Sequence, residues 1–443
     1  MIGCGYLGAV HAAGMAGLGH DVIGLDVDAA KVAQLQQGVA PFHEPGFPEV
    51  LRAGLDSGRL QFTTDPRDVA DCEVHFLAVG TPQKATSYAA DLSYLWGALE
   101  SLLRVVHPRP HGRPTVIVGK STVPVGTARA RCDRVASSGV DGVVAWNPEF
   151  LREGFAVQDT TAPDRLVYGL PDDRQEREYA QAVLDEVYAP ILATGVPRLL
   201  VNYPTAELVK VAANSFLATK ISFINSMAEL CEASGADVTR LAEAIGHDPR
   251  IGSGFLRAGI GFGGGCLPKD IRAFMARAGE LGVDQAVTFL REVDSINLRR
   301  REHAVDLATA MLGGSLVGSR IAVLGLTFKP DSDDIRDSPA LDIAGRLSGH
   351  GAEVVATDPA AARAVRELRP DLHIVDTAEE ALAQADLVML LTEWSDYLAI
   401  DPAEAKPLVG QAKVIDGRNA LDARAWAEAG WDYRGMGRVA STW

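Results

Sequence analysis

The chain opens Met1-Ile2-Gly3-Cys4-Gly5-Tyr6-Leu7-Gly8, and the reading of this stretch decides the fold. In Gly3-x-Gly5-x-x-Gly8 the first glycine makes a tight turn. The second lets a pyrophosphate approach the backbone, and the third lets a helix pack closely on a strand. An Ala/Gly-rich helical stretch follows over 9–18, then Gly19-His20, then the apolar strand 21–25 ending in Asp26. Glycine loop, helix, strand and acid together form a dinucleotide fingerprint. The helix start at Tyr6 and Leu7 faces the phosphates. Asp26 is suited to accept hydrogen bonds from ribose hydroxyls and would repel a 2′-phosphate, so the predicted cofactor is NAD rather than NADP. Lys31 reads equally as a residue near the ribose or as a solvated helix lysine. Such a fold wants an apolar strand ahead of the glycine turn, and here only Met1 and Ile2 precede Gly3. We expect the start of the sequence to lack several residues of that strand.

Further apolar strands are predicted at 73–79, Thr115–Gly119 and Gly142–Trp146, alternating with helical stretches. That alternation indicates a parallel, doubly wound sheet. From about Thr205 the pattern changes to a long helical run over 207–233, a Gly-rich segment over 252–265, and a second long helix over 284–311. The run Arg299-Arg300-Arg301 within it reads as a solvated or subunit-facing surface. A second α/β unit begins near Ser319, with strand 321–324, Gly325, a helix over 340–347, and a strand over 353–356 followed by Asp358. Later strands are expected at 387–391 and 413–415. The predicted fold class is therefore α/β, with two Rossmann-like doubly wound parallel-sheet domains joined by a central helical region. The expected limits are 1–200, 201–312 and 313–443.

A chain of 443 residues is too long for one ordinary core. Its net charge of −16 argues against binding nucleic acid or an anionic membrane. Five widely spaced cysteines, with no Cys-x-x-Cys pair, argue against a disulfide framework or a zinc site. No apolar run has the length of a membrane span, and no signal peptide is read at the start. A cytoplasmic protein is expected.

Several motifs carry chemistry. Val79-Gly80-Thr81-Pro82 and Lys120-Ser121-Thr122-Val123-Pro124 fall at strand ends where open α/β sheets bind ligands. Thr81 and Thr122 could hold cofactor or a catalytic water, or simply cap turns. Asn147-Pro148-Glu149-Phe150-Leu151-Arg152-Glu153-Gly154 puts two carboxylates at another strand end, readable as a base or as a helix-start acid. Glu207, Lys210 and Asn214 share one face of a helix. Lys210 and Asn214 could stabilise an oxyanion, or Lys210 could pair with Glu207. Gly261-Phe262-Gly263-Gly264-Gly265-Cys266-Leu267-Pro268-Lys269-Asp270 is the most informative stretch. Its glycines permit close approach to a ligand. Pro268 suits a first helical turn, which puts Cys266 at a helix N-terminus, where thiolate is favoured, with Asp270 four residues on. NAD beside an activated thiol suggests a four-electron oxidation of an alcohol to an acid through a thiohemiacetal and a thioester.

In this order the motifs resemble the UDP-glucose/GDP-mannose dehydrogenase family over nearly the whole chain. The carrying motifs are Gly3–Gly8 with Asp26, Ser121–Pro124, Asn147–Gly154, Glu207–Asn214, Gly261–Asp270 and Gly325–Arg336. The resemblance implies that Cys266 is the nucleophile and that Lys210 and Asn214 stabilise oxyanions. Asp270 and a water held by Thr122 would assist proton transfer, and Glu149 would act in thioester hydrolysis. Glu153, Lys269 and Arg336 would lie on the cofactor side. Phe150, Leu151, Arg250, Gly252, Phe255, Leu256, Gly263, Phe328, Lys329 and Arg418 would contact the nucleotide sugar, with Lys329 and Arg418 offsetting diphosphate charge. Arg257 would reach across a homodimer. Gly265 departs from the pattern, since many members carry serine there. The implied reaction is oxidation of UDP-glucose to UDP-glucuronate, which Lys329-Pro330-x-x-x-Asp334-x-Arg336 favours. The alternatives are another nucleotide sugar, such as GDP-mannose or a UDP-N-acetylhexosamine, or a non-catalytic NAD-binding regulator.

Overall fold

The computed structural model describes residues 1–109 and 112–438. Backbone contacts divide the chain into two compact units. One is Met1–Ala213 with Arg272–Gly282, and the other is Asn214–Ile271 with the chain from Val283 onward.

The first unit contains strands β1 (Val22–Leu25), β2 (Leu60–Thr63), β3 (Val74–Leu77), β4 (Thr115–Gly119), β5 (Gly142–Trp146), β6 (Leu166–Leu170) and β7 (Arg198–Asn202). β2 pairs with β1, and β3 to β7 form a sheet in sequence order. The strand expected ahead of the glycine turn is reduced to Ile2, which bridges Leu25 on one side and Leu77 on the other in parallel. Its N–H donates to Phe76 O at 2.7 Å and its carbonyl accepts from Ala78 N at 2.8 Å. A single residue thus holds the central position of the sheet. Alternate side chains of β4 enter different cores: Val116 and Val118 pack with Ala12 and Tyr168, and Ile117 packs with Leu99 and Trp146. One departure from a wholly parallel sheet is β6, antiparallel to β5 through Trp146 and Gly169.

The second unit carries β8 (Arg320–Leu324), β9 (Glu353–Thr357), β10 (His373–Ile374), β11 (Leu387–Leu390), β12 (Lys413–Asp416) and β13 (Asp432–Gly435), all pairs parallel, in the order β10-β9-β8-β11-β12-β13. This is the order of a dinucleotide-binding fold. Ile321 and Val323 face one core, Ala322 and Leu324 the other. The helix Tyr203–Ser234 runs 32 residues, with Pro204 in its first turn.

Of the run Arg299-Arg300-Arg301 on the helix Phe289–Met311, expected as a solvated or subunit-facing surface, Arg299 is exposed while Arg300 and Arg301 are buried. Arg300 is wholly buried, with Nε donating to Gly259 O at 3.1 Å. Arg301 is buried and pairs with Asp337 at 2.8 Å. Successive helical residues point about 100° apart, so three in a row cannot all face solvent. Among the described residues no helix is long and apolar enough to cross a membrane.

Candidate active site

In the first unit the helix Tyr6–Gly17 starts directly from Gly5. Gly3 sits at φ +88°, which only glycine adopts freely, and a methyl on it would lie 2.9 Å from Val79 Cγ1. A methyl on Gly8 would lie 1.8 Å from the Gly3 carbonyl oxygen, so that position locks the helix onto the turn. A methyl on Gly5 would meet nothing within 4 Å. The space a pyrophosphate needs is therefore open at Gly5 and filled at the other two. Asp26, buried at the end of β1, accepts from Cys4 N at 2.7 Å and Asp28 N at 3.0 Å, and pairs with Lys31 at 3.1 Å. Lys31 is accordingly the ion-pair partner of Asp26. These residues fit a bound NAD.

Thr81 Oγ1 donates to the Thr122 carbonyl at 2.7 Å and Ser121 Oγ to the Val79 carbonyl at 2.6 Å. These two hydroxyls stitch the strand ends together. Glu149 stands in a loop rather than at a helix start. Its Oε1 accepts from Phe150 N at 2.6 Å and Leu151 N at 2.8 Å, and its Oε2 pairs with buried Lys120 at 3.1 Å. Lys120 also donates to Asn147 Oδ1 at 2.9 Å, which the Tyr188 hydroxyl reaches at 2.6 Å. Sequence reading passed over Lys120, although a lysine ending the apolar strand β4 is a visible signal of a buried charge with a purpose. The ring of Phe150 carries Arg165 at 4.0 Å and the Lys210 ammonium at 5.5 Å.

Glu207 is not the partner of Lys210. Its carboxylate accepts from Gly126 N at 2.8 Å and Ala128 N at 2.7 Å, at the start of the helix Thr127–Ser138. Burial pushes this carboxyl above its ordinary range, and the backbone N–H groups pull it back only in part. Because it satisfies two orphan donors of that helix, Glu207→Ala is expected to cost about 2 kcal/mol of stability, read from urea unfolding. Unchanged stability would leave this carboxylate without a structural role.

In the second unit Cys266 directly precedes the helix Leu267–Glu280, and its carbonyl accepts from Asp270 N at 2.9 Å. Of the five cysteines, Cys266 is the exposed one. Burial pushes Cys4 up to about 12 and raises Cys72, Cys132 and Cys231. Asp270 is buried, with Oδ2 accepting from Asn214 Nδ2 at 2.6 Å and Oδ1 from Lys269 Nζ at 2.6 Å. Lys210 and Asn214 stand one turn apart on the helix Tyr203–Ser234.

The three glycines before the thiol serve the protein's own packing. A methyl on Gly263 would lie 2.3 Å from the Asp337 carbonyl oxygen, one on Gly264 would lie 2.9 Å from the Phe328 ring, and one on Gly265 would lie 2.3 Å from the Arg336 guanidinium. The loop Phe328–Asp337 docks against the thiol-bearing turn, and Arg336, held by Asp334 at 2.7 Å, lies beside Gly265. Lys329 stands 5.4 Å over the Phe328 ring.

Three expected substrate contacts prove to be otherwise engaged. The Arg418 guanidinium donates to the carbonyls of Leu391 at 2.7 Å, Gly261 at 3.0 Å and Phe328 at 2.9 Å, so it clamps backbone. The Leu256 side chain is buried with Ile224, Ala228 and Ala258. Arg250 is exposed and paired with Asp248 at 2.6 Å. Gly252 and Phe255 both hold positive φ, and Lys220, which sequence reading missed, donates to the carbonyls of Ile251 at 2.9 Å and Gly252 at 3.2 Å. In the second Rossmann-like half Asp358 occupies the place of Asp26. It accepts from Leu326 N at 2.8 Å, Thr327 N at 3.0 Å and Trp394 Nε1 at 3.3 Å.

Residues 1–192 match the NAD binding domain of the UDP-glucose/GDP-mannose dehydrogenase family, 204–299 its central domain, and 322–423 its UDP binding domain. The chain belongs to this family. It is 40% identical over 442 residues to the UDP-glucose 6-dehydrogenase of Rhizobium meliloti, covering 99% of each chain. A UDP-glucose dehydrogenase structure from Pyrobaculum islandicum superposes with a TM-score of 0.89 at 38% identity, covering 99% of this chain and 97% of the other. A UDP-D-ManNAc dehydrogenase structure from Pyrococcus horikoshii gives 0.84 at 26% identity, covering 99% of both. Structures of family members with different named substrates thus share this fold.

Proposed function

We propose that this family member is a UDP-glucose 6-dehydrogenase that oxidises the C6 alcohol to UDP-glucuronate. The observation that carries the reading is Cys266. It is the exposed thiol of the chain, at the start of a helix, one turn from a buried aspartate already bonded to Asn214. The UDP-glucose assignment is supported by the names of relatives near 40% identity.

Gly3, Gly5, Tyr6, Leu7, Gly8 and Asp26 would hold NAD, which would supply the hydride acceptor. In the proposed sequence the C6 hydroxyl loses a proton and a hydride to become an aldehyde. The Cys266 thiolate adds to that carbonyl, giving a thiohemiacetal whose oxyanion Lys210 and Asn214 stabilise. Loss of a second hydride leaves a thioester. Water activated by Glu149 then cleaves it, releasing the acid and restoring the thiol. Asp270 and a water on Thr122 carry protons between these steps. Glu153, Lys269 and Arg336 take the cofactor side. Phe150, Leu151, Gly252, Phe255, Gly263, Phe328 and Lys329 take the sugar nucleotide. Arg250, Leu256 and Arg418 would also contact it.

The three parts, 1–200, 201–312 and 313–443, would bind NAD, dimerise and carry the thiol, and bind UDP, respectively. A homodimer is supported by Phe216, Phe223 and Leu230, which recur every seven residues on one helix and are 67%, 47% and 59% exposed.

Purified protein given NAD and a limiting amount of UDP-glucose should form about two NADH per sugar. A yield of about one would mean a plain alcohol dehydrogenase, and no NADH a non-catalytic binder. Running GDP-mannose and a UDP-N-acetylhexosamine beside it tests the sugar.

A further inference from the structure

Glu44 belongs to none of the motifs that carry the proposed reaction, yet it is among the most deeply buried carboxylates of the first unit, 3% exposed. It lies in Pro41-Phe42-His43-Glu44-Pro45-Gly46, ahead of the helix Phe47–Asp56. Its two oxygens take three donors from two distant parts of the chain. Oε2 accepts from the Tyr6 hydroxyl and from Gly154 N at 2.6 Å, and Oε1 accepts from Ala156 N at 2.7 Å. Gly154 N also lies 3.1 Å from the Tyr6 hydroxyl. Phe42 packs on the Tyr6 ring at 4.7 Å and stacks on Phe47 at 5.0 Å, which seats the loop.

Tyr6 is the first residue of the helix whose N-terminus faces the phosphates, and Glu153, beside Gly154, ends the loop that begins at Glu149. We propose that Glu44 is a positioning residue for NAD, fixing the phosphate-binding helix start and the Glu149–Gly154 loop at the separation the cofactor must span. A buried carboxylate with three donors is suited to this, because both oxygens accept from these segments and neither segment can shift without orphaning a donor. A glutamine keeps the shape but turns an NH2 group toward donors that need an acceptor.

This inference rests on the NAD-dependent reading above, and its test separates the two. Glu44→Gln should raise the KM for NAD and the dissociation constant for NADH, read from its fluorescence, by about tenfold, with the KM for UDP-glucose changed by less than about twofold. Tyr6→Phe, which removes one of the three donors and leaves the fold intact, should move the same two NAD constants by about threefold. A carboxylate that only stapled the fold would lower the melting temperature and leave both NAD constants within about twofold in both variants, and that result overturns the proposal. If Glu44→Gln does not fold, Tyr6→Phe alone decides. A wild-type protein that binds NADH but reduces no NAD with UDP-glucose would defeat the proposed activity, and the NADH constants would still decide the role of Glu44.

Discussion

Cys266→Ser is expected to abolish the second oxidation, lowering turnover to UDP-glucuronate by roughly a thousandfold or more while NAD and UDP-glucose still bind. A serine hydroxyl at this helix start is too weak an acid to ionise as a thiol does, so addition to the aldehyde and release of an ester both slow. The site should otherwise survive, because Asp270 keeps Asn214 and Lys269 as partners and the helix keeps its Asp270 N–H bond to the residue 266 carbonyl. Steady-state NADH formation with bound-substrate controls checks this. Turnover at the wild-type rate would remove the covalent step. No other cysteine can substitute: Cys4 and Cys231 are buried, Cys72 and Cys132 are half-buried, and burial raises all four thiols.

Gly8→Ala should abolish NAD binding together with part of the fold. The new methyl would stand 1.8 Å from the Gly3 carbonyl oxygen and 2.9 Å from its carbon, and both are backbone atoms of the turn itself. The helix would have to lift from the turn, costing about 3 kcal/mol and at least about a hundredfold in NADH affinity. Gly5→Ala is the informative contrast. Its backbone, at φ −68°, accepts alanine, and the methyl meets no protein atom within 4 Å. Thermal unfolding should therefore match wild type while NADH affinity falls by about the same hundredfold, because the methyl occupies the pyrophosphate's approach. Tight NADH binding by Gly5→Ala would place the cofactor elsewhere.

Much of the fold was legible because it is written in local pattern. The glycine spacing, the acid ending β1 and the proline in the first turn after Cys266 each constrain nearby backbone, and the backbone obeys them. Strands such as His373–Ile374 and Asp432–Gly435 are short or polar, so no apolar run marks them and only their pairing with β9 and β12 defines them. The arginine run was misread because composition says nothing of direction: Arg300 and Arg301 point inward from a helix whose other side is wet. The alternative pairing of Glu207 with Lys210 fails for a related reason. Lys210 is its neighbour in sequence, but the helix start at Gly126 and Ala128 offers it two unsatisfied donors.

The amino-acid order alone determined the two Rossmann-like halves, the NAD cofactor and the candidate thiol, since each reading rests on residues within one turn or one strand–helix unit. Tertiary structure alone decided how the polar atoms are used: Arg418 as a backbone clamp, Gly263 to Gly265 as a seat for the Phe328–Asp337 loop, Lys120 beneath Glu149, and Glu44 between Tyr6 and Gly154. The division has a physical cause. Backbone conformation follows from short-range sterics and hydrophobic period, whereas a buried charge takes whichever donor or acceptor the fold brings to it, 38 residues away for Glu44 and Tyr6 and 157 for Arg418 and Gly261.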